Sequence, residues 1–174
     1  LTGDVAESTR VLAFSKKYPE RFIECGVAEQ NMMGIAAGLA ATGKIPFVSS
    51  YAVFSPGRSW DQLRVSVCYS NLNVKVVGAH TGLSVGPDGV THQALEDIAI
   101  TRVLPNMTVV VPCDVIETRK ATLAGAKFKG PYYLRITREK TPIITREDNL
   151  FEIGRAEVLF ESGHDAGIVA CGPL

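Results

Sequence analysis

The sequence predicts an α/β fold: a doubly wound, mainly parallel sheet with helices on both faces. Three observations predict it. Short apolar, β-rich runs alternate along the chain with helical stretches of about 10–15 residues, the pattern of βαβ units. Two of those runs, "VKVVGAH" at 74–80 and "MTVVVP" at 107–112, are apolar almost without a break, as strands buried on both faces are. Glycine, proline and cap residues mark the joins.

Taken in order, "RFIEC" (21–25) reads as extended. "CGVAEQNMMGIAAGLAATG" (25–43) reads as a helix of small and apolar residues ended by Gly43. "IPFVSSYAVF" (45–54) is the next strand, with Pro46 near its start, where a missing N–H is tolerated. "SWDQLRVSVCYSN" (59–71) repeats Trp60, Leu63 and Val67 near helical spacing. The strand 74–80 follows, then a Gly-rich loop, "TGLSVGPDGVTHQ" (81–93), and the helix "ALEDIAITRVL" ended by Pro105. After the strand 107–112, Asp114 caps "DVIETRKATLAGAKF", and Glu117 three residues on predicts a capping box. "PYYLRIT" (131–137) closes the set. From "TREDNLFEIG" (145–154) the chain turns charged, then "RAEVLF" and "DAGIVACG" read as strands of a second unit. Residues 1–145 therefore read as one domain and 146–174 as a linker and the start of another.

The bulk composition excludes several classes. The chain has 174 residues, 46% apolar and 21% charged, enough for a real core. Its 18 basic and 18 acidic residues cancel, and no basic run suggests a nucleic-acid footprint. No apolar stretch approaches the roughly 18 residues of a membrane span, and no signal peptide is visible, so a cytoplasmic address is expected. The four cysteines (Cys25, Cys68, Cys113, Cys171) are far apart and read as reduced and structural. The first residue is Leu1 rather than Met, and the chain stops just after a strand-like run; a fragment or processed piece is expected.

In doubly wound sheets ligands sit at the carboxyl ends of the strands. Those ends carry Cys25, Tyr51 to Phe54, His80, Cys113-Asp114, and Arg135 to Arg138. Glu29, the lone charge in its helix, reads either as a carboxylate favoured by the helix dipole or as a desolvated acid suited to general acid–base chemistry. His80, Asp88 and His92 read either as parts of a tight-turn loop or as a cleft lining, with a two-His-one-carboxylate metal site a third option. Tyr51 and Phe54 read as core or as a ring platform. Of Arg135 and Arg138, one is expected to be ion-paired or solvated and the other to be available to a phosphate.

Together these residues resemble the transketolase family of thiamine-diphosphate enzymes, in its central, pyrimidine-binding domain. The pieces are "GDVAEST" (3–9), "FIECGVAEQNMMGIAAGLA", "SSYAVF", "AHTGLSVGPDGVTHQALED", "ITRVLPNMTVVVPCD" and "YYLRITR", in family order. The stretch after 145 resembles the first strands of the family's C-terminal domain. The resemblance implies that Glu29 hydrogen-bonds the N1′ nitrogen of the cofactor's aminopyrimidine, favouring the tautomer that takes the thiazolium C2 proton. It implies that Phe54 stacks on that ring with Tyr51 beside it, and that Asp4 lies near the cofactor and a dimer interface. His80 and His92 match histidines that face sugar hydroxyls and assist proton transfer, and Asp88 an aspartate that recognises a hydroxyl. Arg138 and Ser8 match contacts to the sugar's terminal phosphate.

Gly57 stands where the family pattern has a tyrosine, so that role is not carried over. No G-D-G with its downstream Asn, the motif for Mg²⁺ and the diphosphate, is present. The resemblance thus implies the C-terminal part of a split transketolase, a homodimer or a heterotetramer with an N-terminal, diphosphate-binding partner, and no metal ligand on this chain. Within the family, 1-deoxyxylulose-5-phosphate synthase is the nearest alternative, but it has an Asp-Arg pair where this chain has His80-Thr81. The β subunits of 2-oxo acid dehydrogenases share the fold but lack "THQ". Outside it stand a metal-dependent enzyme using His80, Asp88 and His92, and a binding module that keeps the fold without the chemistry.

Overall fold

In a computed structural model, which describes residues 1–173, four parallel strands form one sheet in the order β1-β2-β4-β3. They are β1 (Phe47–Tyr51), β2 (Lys75–Ala79), β3 (Thr108–Val110) and β4 (Tyr132–Arg135). All four lie inside the runs that read as strands, and the α/β class is as expected. Every crossover between them is filled by helical structure, as parallel neighbours require.

The register explains the two layers. Val48, Val76, Tyr133 and Val109 pair across the sheet, and Val76 and Tyr133 face one core. Onto it helix α2 (Glu29–Ala41) lays Met32, Met33, Ala36, Ala37 and Ala40, a stripe at helical spacing. Leu63 and Val67 complete that layer. They belong to a short helix, α3 (Trp60–Gln62), that continues as a π-helical stretch over Leu63–Tyr69 rather than as the α-helix their spacing suggests. On the opposite face, Tyr132 and Leu134 pack with Ala121 of α5 (Val115–Lys127). Lys75 opens on that face and is fully buried. Its Nζ donates to the carbonyls of Phe128 (2.7 Å) and Gly130 (2.9 Å), closing the C-terminal end of α5. Burial lowers its pKa to about 8.

Asp114 caps α5, its Oδ1 accepting from the Glu117 N–H at 2.9 Å. The reciprocal bond of a capping box shifts by one residue: Glu117 accepts from the Cys113 N–H at 2.7 Å. Asp114 also accepts from the N–H groups of Ile144 and Thr145 and from the Thr145 hydroxyl, tying the outgoing chain to the helix start. Burial alone would raise its pKa, but these donors together hold it at about 2.

Three further features differ from the sequence expectation. "RFIEC" forms no strand; Glu24 makes one isolated parallel bridge to Thr2, which bridges in turn to Ser49. A helix the pattern did not announce, α1, spans Leu12–Lys17. The runs 155–160 and 165–172 form no strand among the described residues either, and Val158, Phe160, Ile168 and Val169 are exposed. Among the described residues no helix is long and apolar enough to cross a membrane.

Candidate functional site

Tyr51, Phe54, His80 and His92 gather at the C-terminal edge of the sheet, joined through Arg58 to Glu29, and Arg138 shares a cleft with His80. Glu29 is the first residue of α2, and its carboxylate is 2% exposed. It pairs with Arg58, whose Nη1 lies 3.2 Å from Oε2. The same guanidinium rests over the Phe54 ring, Cζ 5.0 Å from the centroid. Phe54 lies parallel to Tyr51 at 6.4 Å, and Tyr51 stacks on the His80 imidazole at 4.2 Å. The His92 ring meets Phe54 and Tyr51 edge-on at 5.3 and 5.9 Å. Two strand ends and the loop after β2 thus supply one aromatic wall.

His80 leaves the end of β2 with φ +56°, left-handed backbone for a bulky residue, which turns the chain sharply there. The residue is 6% exposed, and its Nδ1 is buried without a partner. Burial lowers its pKa, Arg138 and Arg10 push in the same direction, and Asp88 opposes them. The imidazole is therefore neutral at neutral pH, able both to accept and to donate. Below the ordinary value of 6.5 the unfolded chain takes a proton that the folded chain refuses, so this group subtracts stability as pH falls. We predict that His80 titrates below 6.5 in an NMR pH series and that Arg138→Met moves it upward. A midpoint above 6.5 in the unsubstituted chain contradicts the environment described.

Beyond His80 opens a cleft of about 330 Å³, lined among others by Ser8, Arg10, His80, Thr137 and Arg138. Two guanidinium groups and three hydroxyl residues, Thr9 being the third, line it beside one carboxylate, Glu7, a donor set suited to a phosphate. Arg138 donates to the Val85 carbonyl at 2.6 Å and pairs with Asp88 at 3.1 Å, so the loop after β2 holds it. Ser8 donates to the Val5 carbonyl at 3.1 Å. Asp4 is exposed, with left-handed backbone (φ +62°) and its N–H bonded to Glu24. Both arginines are ion-paired, where the sequence led to the expectation of one: Arg138 with Asp88, and Arg135 with buried Asp97, its Nε 2.8 Å from Oδ2.

The metal alternative does not assemble. Among the described residues no three His, Cys, Asp or Glu side chains gather closely enough to hold an ion. Asp88 is engaged by Arg138, and His92 Nδ1 lies 2.9 Å from Thr91 Oγ1.

Residues 1–143 match the transketolase pyrimidine binding domain family. The chain belongs to the transketolase family. It is 48% identical over 174 residues to a putative transketolase C-terminal section of Methanocaldococcus jannaschii, covering 99% of this chain and 55% of that protein. It is 40% identical to an apulose-4-phosphate transketolase chain of Phocaeicola vulgatus, covering 99% and 55%. Among solved structures, a split-gene transketolase described as an inactive β4 tetramer superposes with a TM-score of 0.81 at 45% identity, over 92% of this chain and 52% of that one. The transketolase of Leishmania mexicana gives 0.73 at 31%, over 80% and 22%. The chain spans about half the length of these split relatives.

The pyrimidine-binding domain of a transketolase must offer a flat heterocycle an acid and an aromatic face. The residues here fit such a ring. Glu29 is a buried carboxylate, and the Ser50 hydroxyl is buried without a partner. A Cβ at Gly3 would stand 3.9 Å from each, so the absent side chain leaves this corner open. Sequence reasoning missed Arg58 and Arg10. The one local signal for Arg58 was its spacing of four from Phe54 across "SPG".

Proposed function

We propose that this chain is the pyrimidine-binding part of a thiamine-diphosphate-dependent transketolase, acting in ketol transfer between sugar phosphates. The observation that carries it is a carboxylate buried at the head of α2 and joined, through one side chain, to an aromatic face. When bound, thiamine diphosphate supplies the carbanion chemistry that no side chain can. Glu29 takes a hydrogen bond from a proton-bearing ring nitrogen of the aminopyrimidine and fixes its tautomer. Phe54, with Tyr51 beside it, presents the stacking face, and Asp4 lies near the cofactor and a dimer interface. His80 and His92 hold and move protons at the sugar hydroxyls, Asp88 recognises a hydroxyl, and Arg138 with Ser8 binds the terminal phosphate.

The division of labour follows from what this chain holds. Residues 1–145 form the pyrimidine-binding domain, and 146–174 belong to a linker and the beginning of a C-terminal domain. Mg²⁺ and the diphosphate are held by an N-terminal partner subunit, in a heterotetramer. The chain by itself is inactive. A split-gene relative described as an inactive β4 tetramer supports the inactivity of the chain by itself. A cytoplasmic location agrees with the free thiols, those of Cys68 and Cys113 pushed by burial to about 12 and so unreactive. Relatives named for apulose 4-phosphate and for 6-deoxy-6-sulfo-D-fructose support ketol transfer with a variable sugar, over a deoxyxylulose-phosphate synthase or an oxo acid dehydrogenase.

The test combines this chain, extended to its natural ends, with a diphosphate-binding subunit, thiamine diphosphate and Mg²⁺. Transfer from xylulose 5-phosphate to ribose 5-phosphate is expected only when both subunits are present. Turnover of pyruvate with glyceraldehyde 3-phosphate instead would move the assignment to the synthase.

A further inference from the structure

Arg58 joins the acid to the aromatic face but is given no role of its own in the reading above, yet it touches both groups assigned to the cofactor ring. Its placement is built into the backbone. The Arg58 N–H bonds to the Phe54 carbonyl at 2.9 Å, a single helical turn that sets position 58 over position 54. The turn closes tightly because residue 57 is glycine: a Cβ there would stand 2.1 Å from the Val53 carbonyl oxygen, a contact with backbone that no side-chain adjustment relieves. The family's tyrosine cannot occupy this turn.

A guanidinium is flat, delocalised and edged with N–H donors. Resting on Phe54 while donating to Glu29 Oε2, it makes the two contacts that a protonated nitrogen heterocycle makes with an aromatic face and an acid. It also supplies a counter-charge to a carboxylate that has almost no access to water. The Arg58 side chain is itself 51% exposed, so withdrawing it uncovers no core. Exposed ion pairs and cation–π contacts are weak and readily exchanged.

We propose that Arg58 is a displaceable place-holder for the aminopyrimidine. In the cofactor-free chain it neutralises Glu29 and holds the acid and the Phe54 face in register; when the cofactor arrives it gives up both contacts and swings to solvent. The inference rests on the proposed cofactor chemistry and adds a competitor for the site.

Calorimetric titration of thiamine diphosphate into the complex of this chain with its diphosphate-binding partner, with Mg²⁺ present, tests it. Arg58→Met keeps the apolar stem and removes the competing cation. Its cofactor Kd is expected to fall about tenfold, while the melting temperature of the cofactor-free complex also falls because Glu29 loses its counter-charge. Arg58→Lys, which still pairs with Glu29 but cannot lie flat on Phe54, is expected to gain about threefold. Unchanged or weaker binding in either variant overturns the place-holder, and the lysine variant decides alone if the methionine one does not assemble. An unsubstituted complex that takes up no thiamine diphosphate overturns the cofactor reading itself, and the inference with it.

Discussion

Glu29→Gln is expected to lower ketol transfer by the reconstituted complex by about 10²- to 10⁴-fold, the range for removing a positioned general acid–base group. The substitution is nearly isosteric. Glutamine fills the same buried space at the head of α2, and its carbonyl oxygen can still accept from Arg58. What it loses is the ionisable oxygen pair that sets the protonation of a facing ring nitrogen. The fold should survive: the partner of the lost charge is half exposed, so the pair contributes no more than about 1 kcal/mol after screening. Steady-state assay and thermal unfolding of the same preparation separate the two effects. Turnover within a few-fold of the unsubstituted complex would remove Glu29 from the chemistry. Unfolding well below the unsubstituted chain would make the loss of activity structural instead.

The sheet and the helix that carries Glu29 were legible because their signals are local and repeated. Val76 and Val77 sit in a run apolar almost without a break, the pattern of a strand covered on both sides. The gathering of Tyr51, Phe54, His80 and His92 was legible at one remove: in a parallel sheet consecutive strands end on the same edge, so residues just past strand ends become neighbours. Contacts fixed by a single turn or a long separation were not legible. Arg58 reaches Glu29 across 29 positions, and only the tight closure at Gly57 brings it there. Asp88 looked like turn support, but its oxygen is 3.1 Å from an arginine fifty positions away. The π-helical stretch was hidden for the opposite reason, since Trp60, Leu63 and Val67 satisfy an α-helical spacing as well as the wider winding they adopt.

Asp97→Ala is expected to cost about 3–5 kcal/mol of stability, the range for breaking a buried ion pair from one side. Asp97, the first residue of α4 (Asp97–Arg102), is 1% exposed and accepts through Oδ2 from two donors: the Tyr133 hydroxyl at 2.7 Å and Arg135 Nε at 2.8 Å. Both donors come from β4, so one carboxylate fastens α4 to the sheet beside the site. Alanine leaves a guanidinium only 15% exposed without its counter-charge and a core hydroxyl without an acceptor. The ring cannot turn away to water, because Tyr133 is fully buried and passes so close over β2 that a Cβ at Gly78 would stand 2.2 Å from its hydroxyl oxygen. Tyr133→Phe removes one hydrogen bond and no charge, and should cost only about 0.5–1.5 kcal/mol. Arg135→Met in the Asp97→Ala background should recover part of the loss, since the stranded cation is then gone and the two changes are not additive. Urea unfolding of the four proteins measures each difference directly. If Asp97→Ala costs less than Tyr133→Phe, the charge pair contributes nothing, and the join between α4 and β4 rests on apolar contact alone.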